Sequence, residues 1–195
     1  MGIYAVNKST MTKKKYAGHL LVANPNNPRD ELSKSVILLV THTDKLAIGL
    51  QINNPLEEID LQTVAYNSNI DYPRIGDPLF YGGNISMNKI HVIHSNDWQG
   101  LSTVKLNEQL SVTTDISVLA ALSTGDGPRY FRACAGYWLW ENGMLDDMLD
   151  PRSRTHPHKW ETVPSTLKNV FNGDGSEQWR SVLNQAARHH VSAWF

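Results

Sequence analysis

The side chains with the most obvious chemistry are one cysteine and three pairs of histidines. Cys134 is the single thiol among 195 residues, and a lone cysteine with histidines elsewhere is one route to Cys–His nucleophilic catalysis. Its neighbours predict a different role. Ala133 and Ala135 flank it in an apolar run with no glycine turn or helix start to lower its pKa, so a buried, inert sulfur is expected. The pairs His91/His94, His156/His158 and His189/His190 have ligand chemistry without ligand spacing. Residues i and i+3 of a strand point to opposite faces, the second pair flanks Pro157 in a loop, and adjacent helical residues diverge by about 100°. No cysteine or carboxylate cluster completes a four-ligand zinc set, so no metal is expected.

The glycine-bearing segments carry equally little. Asn172, Gly173, Asp174 and Gly175 lack the alternating acidic ligands and final glutamate of a calcium loop. Gly82 and Gly83 follow a short strand but lack the third glycine and the Lys-Ser or Lys-Thr of a phosphate cradle. They predict a tight connection or a close approach of two chain segments. With no G-x-S-x-G elbow, no H-E-x-x-H helix and no spaced acid–base carboxylates, no catalytic residue and no cofactor are expected.

Composition narrows the class. Hydrophobic residues make up 41% and charged residues 19% of the chain, the balance of a globular domain that buries a core. The length fits a single domain, placed at 16–195 behind an arm at 1–15. A net charge of -1 provides no basic field for nucleic acid or anionic lipid, although Lys13, Lys14 and Lys15 form a short basic run that could touch phosphate. No stretch approaches the ~20 apolar residues that span a bilayer, and a lone cysteine suits a reducing compartment. A cytoplasmic protein without membrane contact is expected.

The elements that must position these residues are legible from period and punctuation. Residues 18–25 and 36–43 are apolar runs of strand length, and 46–52 alternates, so the last two predict a hairpin around Asp44 and Lys45. Short strands are expected near 78–81, 90–94 and 110–113, and a short helix from Asp60 through Ala65. Asp115 is positioned to cap a helix with Ile116, Leu119, Ala120 and Ser123 on one face and Gly125 at its end. The aromatic stretch 130–140 leads into a helix bearing Met144, Leu145, Met148 and Leu149, and 151–159 reads as a surface loop. A last helix, capped by Ser176, presents Trp179, Val182, Leu183 and Ala186.

In order along the chain, GHLLVANP (18–25), AIGLQINNP (47–55), FYGG (80–83), DISVLAALSTGDGP (115–128), RACAGYWLWENGMLDDML (132–149) and QWRSVL (178–183) resemble the YqgE/AlgH family, bacterial proteins described as uncharacterised or as candidate transcriptional regulators. The resemblance runs from about Tyr16 to Arg188. It implies an α+β fold whose curled, bifurcated, mixed or antiparallel sheet forms a partial barrel with helices packed around it. The family's Gly-Tyr-Ala-Gly-Trp segment is similar to Gly136, Tyr137, Trp138, Leu139 and Trp140 here, so Trp138 and Leu139 replace a small pair. Large apolar residues in such a turn imply an altered surface or a new contact.

The turns of these motifs carry Asn53 and Pro55, then Tyr81, Gly82 and Gly83, then Tyr137 and Trp140, all near strand ends. The expectation is that they converge on one rim and line a shared partner-binding surface, with the aromatics as anchors. Three functional readings stay open. The first is a non-enzymatic binding or regulatory protein that contacts a protein partner or forms a homo-oligomer. The second is a nucleic-acid-binding regulator, which salt-dependent retention on DNA or RNA would reveal. The third is an enzyme whose site the motifs do not disclose.

Overall fold

The computed structural model describes residues 16–25, 31–150, 152–153 and 160–192, with side chains through 188. The proposed 1–15 arm with its lysine run, His156 and His158, and the side chains of His189 and His190 lie outside the described residues.

In chain order the elements begin with β1 (His19–Ala23), β2 (Val36–His42), β3 (Leu46–Gln51), β4 (Pro55–Asp60), α1 (Leu61–Asn67), β5 (Pro78–Tyr81) and β6 (Ile85–Ser95). They continue with β7 (Val104–Lys105), β8 (Leu110–Thr113), α2 (Ser117–Thr124), β9 (Phe131–Glu141), α3 (Met144–Leu149), β10 (Trp160–Pro164), α4 (Leu167–Phe171) and α5 (Gly175–Ser192). One sheet runs β10-β1-β2-β3-β9-β6-β8-β7, with β4 and β5 branching from β9. The fold is α+β, a curled half-barrel sheet with helices on it, and β5 on β9 is its parallel pairing.

The continuous apolar character of β1 and β2 has a direct cause: both faces are covered. Leu20, Val22, Val36 and Leu38 enter an inner core filled by Val170, Val182 and Ala186 of α4 and α5. Leu21, Ala23, Ile37 and Leu39 pack on the other side with Leu145 and Met148 of α3. A third cluster lies under α1 and α2, where Leu61, Val118, Leu119 and Leu122 meet Leu79, Ala133 and Ala135. The inner core also takes Leu110 and Val112 from the far end of the sheet, so the sheet must curl. A polar latch joins its two ends. Asn107 donates through Nδ2 to the Ser165 carbonyl (3.1 Å) and hydroxyl (2.9 Å), Ser165 donates to the Gly18 carbonyl, and Gln109 Oε1 accepts from Leu167 N–H (3.0 Å).

The sheet bifurcates along β9. Residues Ala133–Ala135 pair with β5, whereas Trp138–Glu141 pair with β3. At the split, Gly82 N–H donates to the Ala135 carbonyl (2.7 Å) and the Gly82 carbonyl accepts from Gln51 N–H (2.8 Å). There is no room for side chains: a Cβ on Gly82 or Gly136 would stand 2.4 Å from a backbone oxygen of the other strand, and one on Gly83 would stand 2.1 Å from the Tyr137 carbonyl carbon. Gly136 has φ +71, in the left-handed region. It also acts as an inserted residue: Cys134 and Tyr137, three apart on one strand, pack against the same inner core.

Several sequence expectations are corrected. β4, β7, β10 and α4 were not anticipated, and β6 is longer than 90–94. The buried face of α2 is Val118, Leu119 and Leu122, while Ile116 precedes the helix and is exposed. Asp115 does accept a hydrogen bond from Ser117 N–H (3.0 Å). Helix α5 starts at Gly175, so Ser176 lies inside it rather than capping it.

The glycine crossing generates a stability test. Gly76 has φ +82 but nothing within 4 Å of a built Cβ, so Gly76→Ala should cost only the left-handed penalty, about 1 kcal/mol. Gly136→Ala adds a clash with the Gly83 carbonyl oxygen and should cost about 3 kcal/mol or more. Urea denaturation midpoints of the two variants measure the difference.

Candidate functional site

The two strands that flank the fork are both bulged. β4 is paired with β5 only at Pro55↔Phe80 and Asp60↔Pro78, leaving residues 56–59 opposite Leu79 alone. β6 is paired with β9 at Ile85↔Tyr137 and next at Ile90↔Ala135, leaving residues 86–89 opposite Gly136 alone. Ser86 takes φ 53 where the second arch begins. Such insertions bend a strand away from its ladder. The arches rise on either side of β9 and wall a groove of about 980 Å³.

Leu79, Ile90, Ala135 and Tyr137 lie along this groove, with Leu56, Ile59 and Val64 toward β4 and α1, and Met87 and Ile116 opposite. Ile59, Met87 and Ile116 are 45%, 40% and 39% exposed. Isolated exposed hydrophobics are ordinary, but three around one concavity form a patch. Asn67, Ser68, Asn88 and Thr114 give the groove polar points, and Lys89 and His91 are its titratable lining residues. Burial, and secondarily the Lys89 charge, hold the His91 pKa below its usual value. It meets Tyr137 edge to face at 5.7 Å.

The residues proposed from the turns are brought together in the backbone but not as a surface. Asn53 is 5% exposed and braces three segments: Oδ1 accepts from Val36 N–H (2.8 Å) and Nδ2 donates to the carbonyls of Lys34 and Gly175 (both 2.9 Å). Gly82 and Gly83 are buried in the crossing. Trp140 is 5% exposed and fills the cluster under α3. Tyr81 packs edge-on against Trp138 with its hydroxyl donating to Glu31 Oε1 (3.2 Å), whereas Tyr137 packs against the inner core and also lines the groove. Pro55 opens β4 and is half-buried. The expected shared surface is therefore corrected: the strand ends converge, but Tyr81 and Trp140 pack into the cluster under α3, Tyr137 against the inner core, and Asn53 is buried among backbone groups. Trp138, which stands in place of a small residue, is likewise buried in the α3 cluster.

Arg132 and Gln178 were missed as structural determinants. Arg132 is buried, donating through Nη1 to the Ile52 carbonyl and Gln178 Oε1 (2.9 Å) and through Nη2 to the Gly173 carbonyl (2.9 Å). A charged residue inside an otherwise apolar strand was the available signal. His94 is fully buried with Nδ1 against the Ser95 carbonyl (2.8 Å). Among the described residues, no group of three or more His, Cys, Asp or Glu is placed to hold a metal.

A family model described as AlgH-like matches residues 20–190. The chain belongs to the AlgH-like family. Among relatives of this family, a UPF0301 protein of Vibrio atlanticus is 31% identical over 171 residues, covering 85% of this chain and 88% of its own. A UPF0301 protein of Yersinia pseudotuberculosis is 27% identical over 174 residues, with 86% and 89% covered. The solution structure of the AlgH protein from Pseudomonas aeruginosa superposes with a TM-score of 0.72 at 26% identity over 93% of each chain. A crystal structure from Corynebacterium diphtheriae shares the fold at 16% identity, with a TM-score of 0.69 over 94% of each chain. The AlgH-like half-barrel is thus established, and no helix among the described residues is long and apolar enough to cross a membrane.

Cys134 of this AlgH-like chain is fully buried, and burial pushes its thiol up to about 12. At about pH 8 the folded protein should therefore resist iodoacetamide while the urea-unfolded protein is alkylated completely, as read by intact mass. Rapid labelling of the folded protein would restore the nucleophile reading.

Proposed function

We propose that this AlgH-like chain is a non-enzymatic binding protein whose groove at the sheet fork receives an apolar segment of a partner protein. The observation that carries the reading is the groove itself, with exposed Ile59, Met87 and Ile116 around a concavity of about 980 Å³. Its size is at the upper end of ligand pockets, and a few polar groups around apolar walls are the usual anatomy of such sites. Lys89 favours a segment with an acidic flank, since opposite charge at a rim steers encounter and orientation. The near-neutral net charge supports a protein partner over a phosphate backbone. The thiol held protonated in the core supports a non-enzymatic role.

Met87→Asp and Ile116→Asp put charge into the groove at exposed positions. Each should weaken partner affinity by about 1–2 kcal/mol, roughly 5- to 30-fold in Kd, with stability changed by only about 0.5 kcal/mol. Leu101→Asp, fully exposed and outside the groove, is the control. Partners captured from source lysate by wild type and control, absent with both groove variants, and then confirmed by titration with the purified partner, would support the reading. Retention of every partner by the groove variants, or retention on DNA that falls steeply with salt, would contradict it.

A further inference from the structure

A second, smaller concavity of about 270 Å³ is lined by Asp77, Phe80, Phe131, Arg132, Phe171 and Asp174 among others. Arg132 is 7% exposed, yet all three of its hydrogen bonds go to neutral oxygens. A guanidinium has five N–H donors. Among the described residues two find no partner, Nε–H and one on Nη2, and guanidinium donors are suited to a carboxylate. Burial pulls the Arg132 pKa down from its ordinary value, and the Asp174 charge acts in the opposite sense, within electrostatic reach but without an ion pair. A buried cation with no paired anion is costly unless something compensates it. Helix α5 begins just beyond, at Gly175, so its positive end adds to the potential near Arg132.

The opposite charge stands at the rim. Asp77 is already engaged, accepting from Tyr72 Oη (2.7 Å) and Arg74 Nε (2.6 Å). The Asp174 side chain has no hydrogen-bond donor among the described residues and is exposed, so it is available. Three phenylalanines line the same cavity: Phe80 lies against the guanidinium at 4.2 Å, Phe131 carries Arg74 at 5.2 Å and Phe171 stacks on Tyr130 at 5.9 Å. Cation, anion and aromatic wall together match one ligand chemistry. We propose that this cavity binds a free α-amino acid with an apolar side chain, its carboxylate on Arg132, its ammonium on Asp174 and its side chain among Phe80, Phe131 and Phe171. The volume falls just below the range of drug-sized pockets, which suits a ligand of this size.

Calorimetric titration of the purified chain with phenylalanine and leucine tests this directly, beside hydrocinnamate, phenethylamine and inorganic phosphate. The amino acids should bind saturably, and each analogue lacking one charge should bind at least about 10-fold more weakly, the loss expected when a site's charged group is left unpaired. Asp174→Asn, an exposed change that leaves the fold intact, should weaken phenylalanine and remove its advantage over hydrocinnamate. Arg132→Gln should abolish binding, but this residue also ties α5 to the sheet, so the analogue series and Asp174→Asn decide the matter without it. No saturable binding of either amino acid up to about 10 mM, a limit that corresponds to less than ~3 kcal/mol, would overturn the proposal. So would equal binding of hydrocinnamate and phenylalanine by the wild type, or binding of phosphate alone.

Discussion

The approach of two backbones at Gly82–Gly83 and Gly136 governs the rest of this fold. β9 must pair with β5 over one stretch and with β3 over the next, and the change of partner is possible only where Cβ atoms are missing on both strands. Once the partner changes, the sheet splits, and each branch needs its own covering helices. The consequence is three separate clusters instead of one core, under α4 and α5, under α3, and under α1 and α2. The groove is the space the fork leaves between branches, deepened by the two bulged strands beside it.

A split sheet needs fastening, and buried polar groups supply it. Asn53 ties the end of β3 to the start of β2 and to α5. Arg132 links β9 to the residues before and within α5, and Trp179 Nε1 donates to the Ala23 carbonyl (2.7 Å), joining the same helix to β1. Each bond is worth only about 1 kcal/mol net, but leaving such a group unsatisfied costs more. These contacts therefore define where α5 sits rather than add much to stability.

What the sequence disclosed follows from the range over which its signals act. The β2–β3 hairpin and the apolar stripe of α5 depend on neighbours within a few residues, and both were legible. β4, with Glu57, Glu58 and Asp60, and β10, WETVP, have no strong local pattern and become strands by pairing with β5, beyond helix α1, and with β1, at the other end of the chain. The glycine motifs predicted a close chain approach, and the crossing provides one. The same motifs suggested a shared surface for Asn53, Tyr81 and Trp140, and that failed because Asn53 is buried bracing backbone groups and Trp140 is buried in the cluster under α3. The groove was invisible because its arches exist only relative to partners β5 and β9. Arg132 gave a signal, a charge in an apolar strand, but its role required knowing that α5 returns to it.

The central claim, that the fork creates a binding groove, is tested most directly by methyl NMR on the unmodified chain. A fluorescent apolar probe such as anilinonaphthalene sulfonate would be titrated into protein labelled at Ile and Met methyls, with Ile59, Met87, Ile90 and Ile116 as reporters of the groove. Saturable shifts concentrated on those four, with Ile37, buried under α3, and Ile75, exposed elsewhere, unmoved, are the expected result. Shifts spread over the surface, confined to methyls outside the groove, or absent altogether would contradict it.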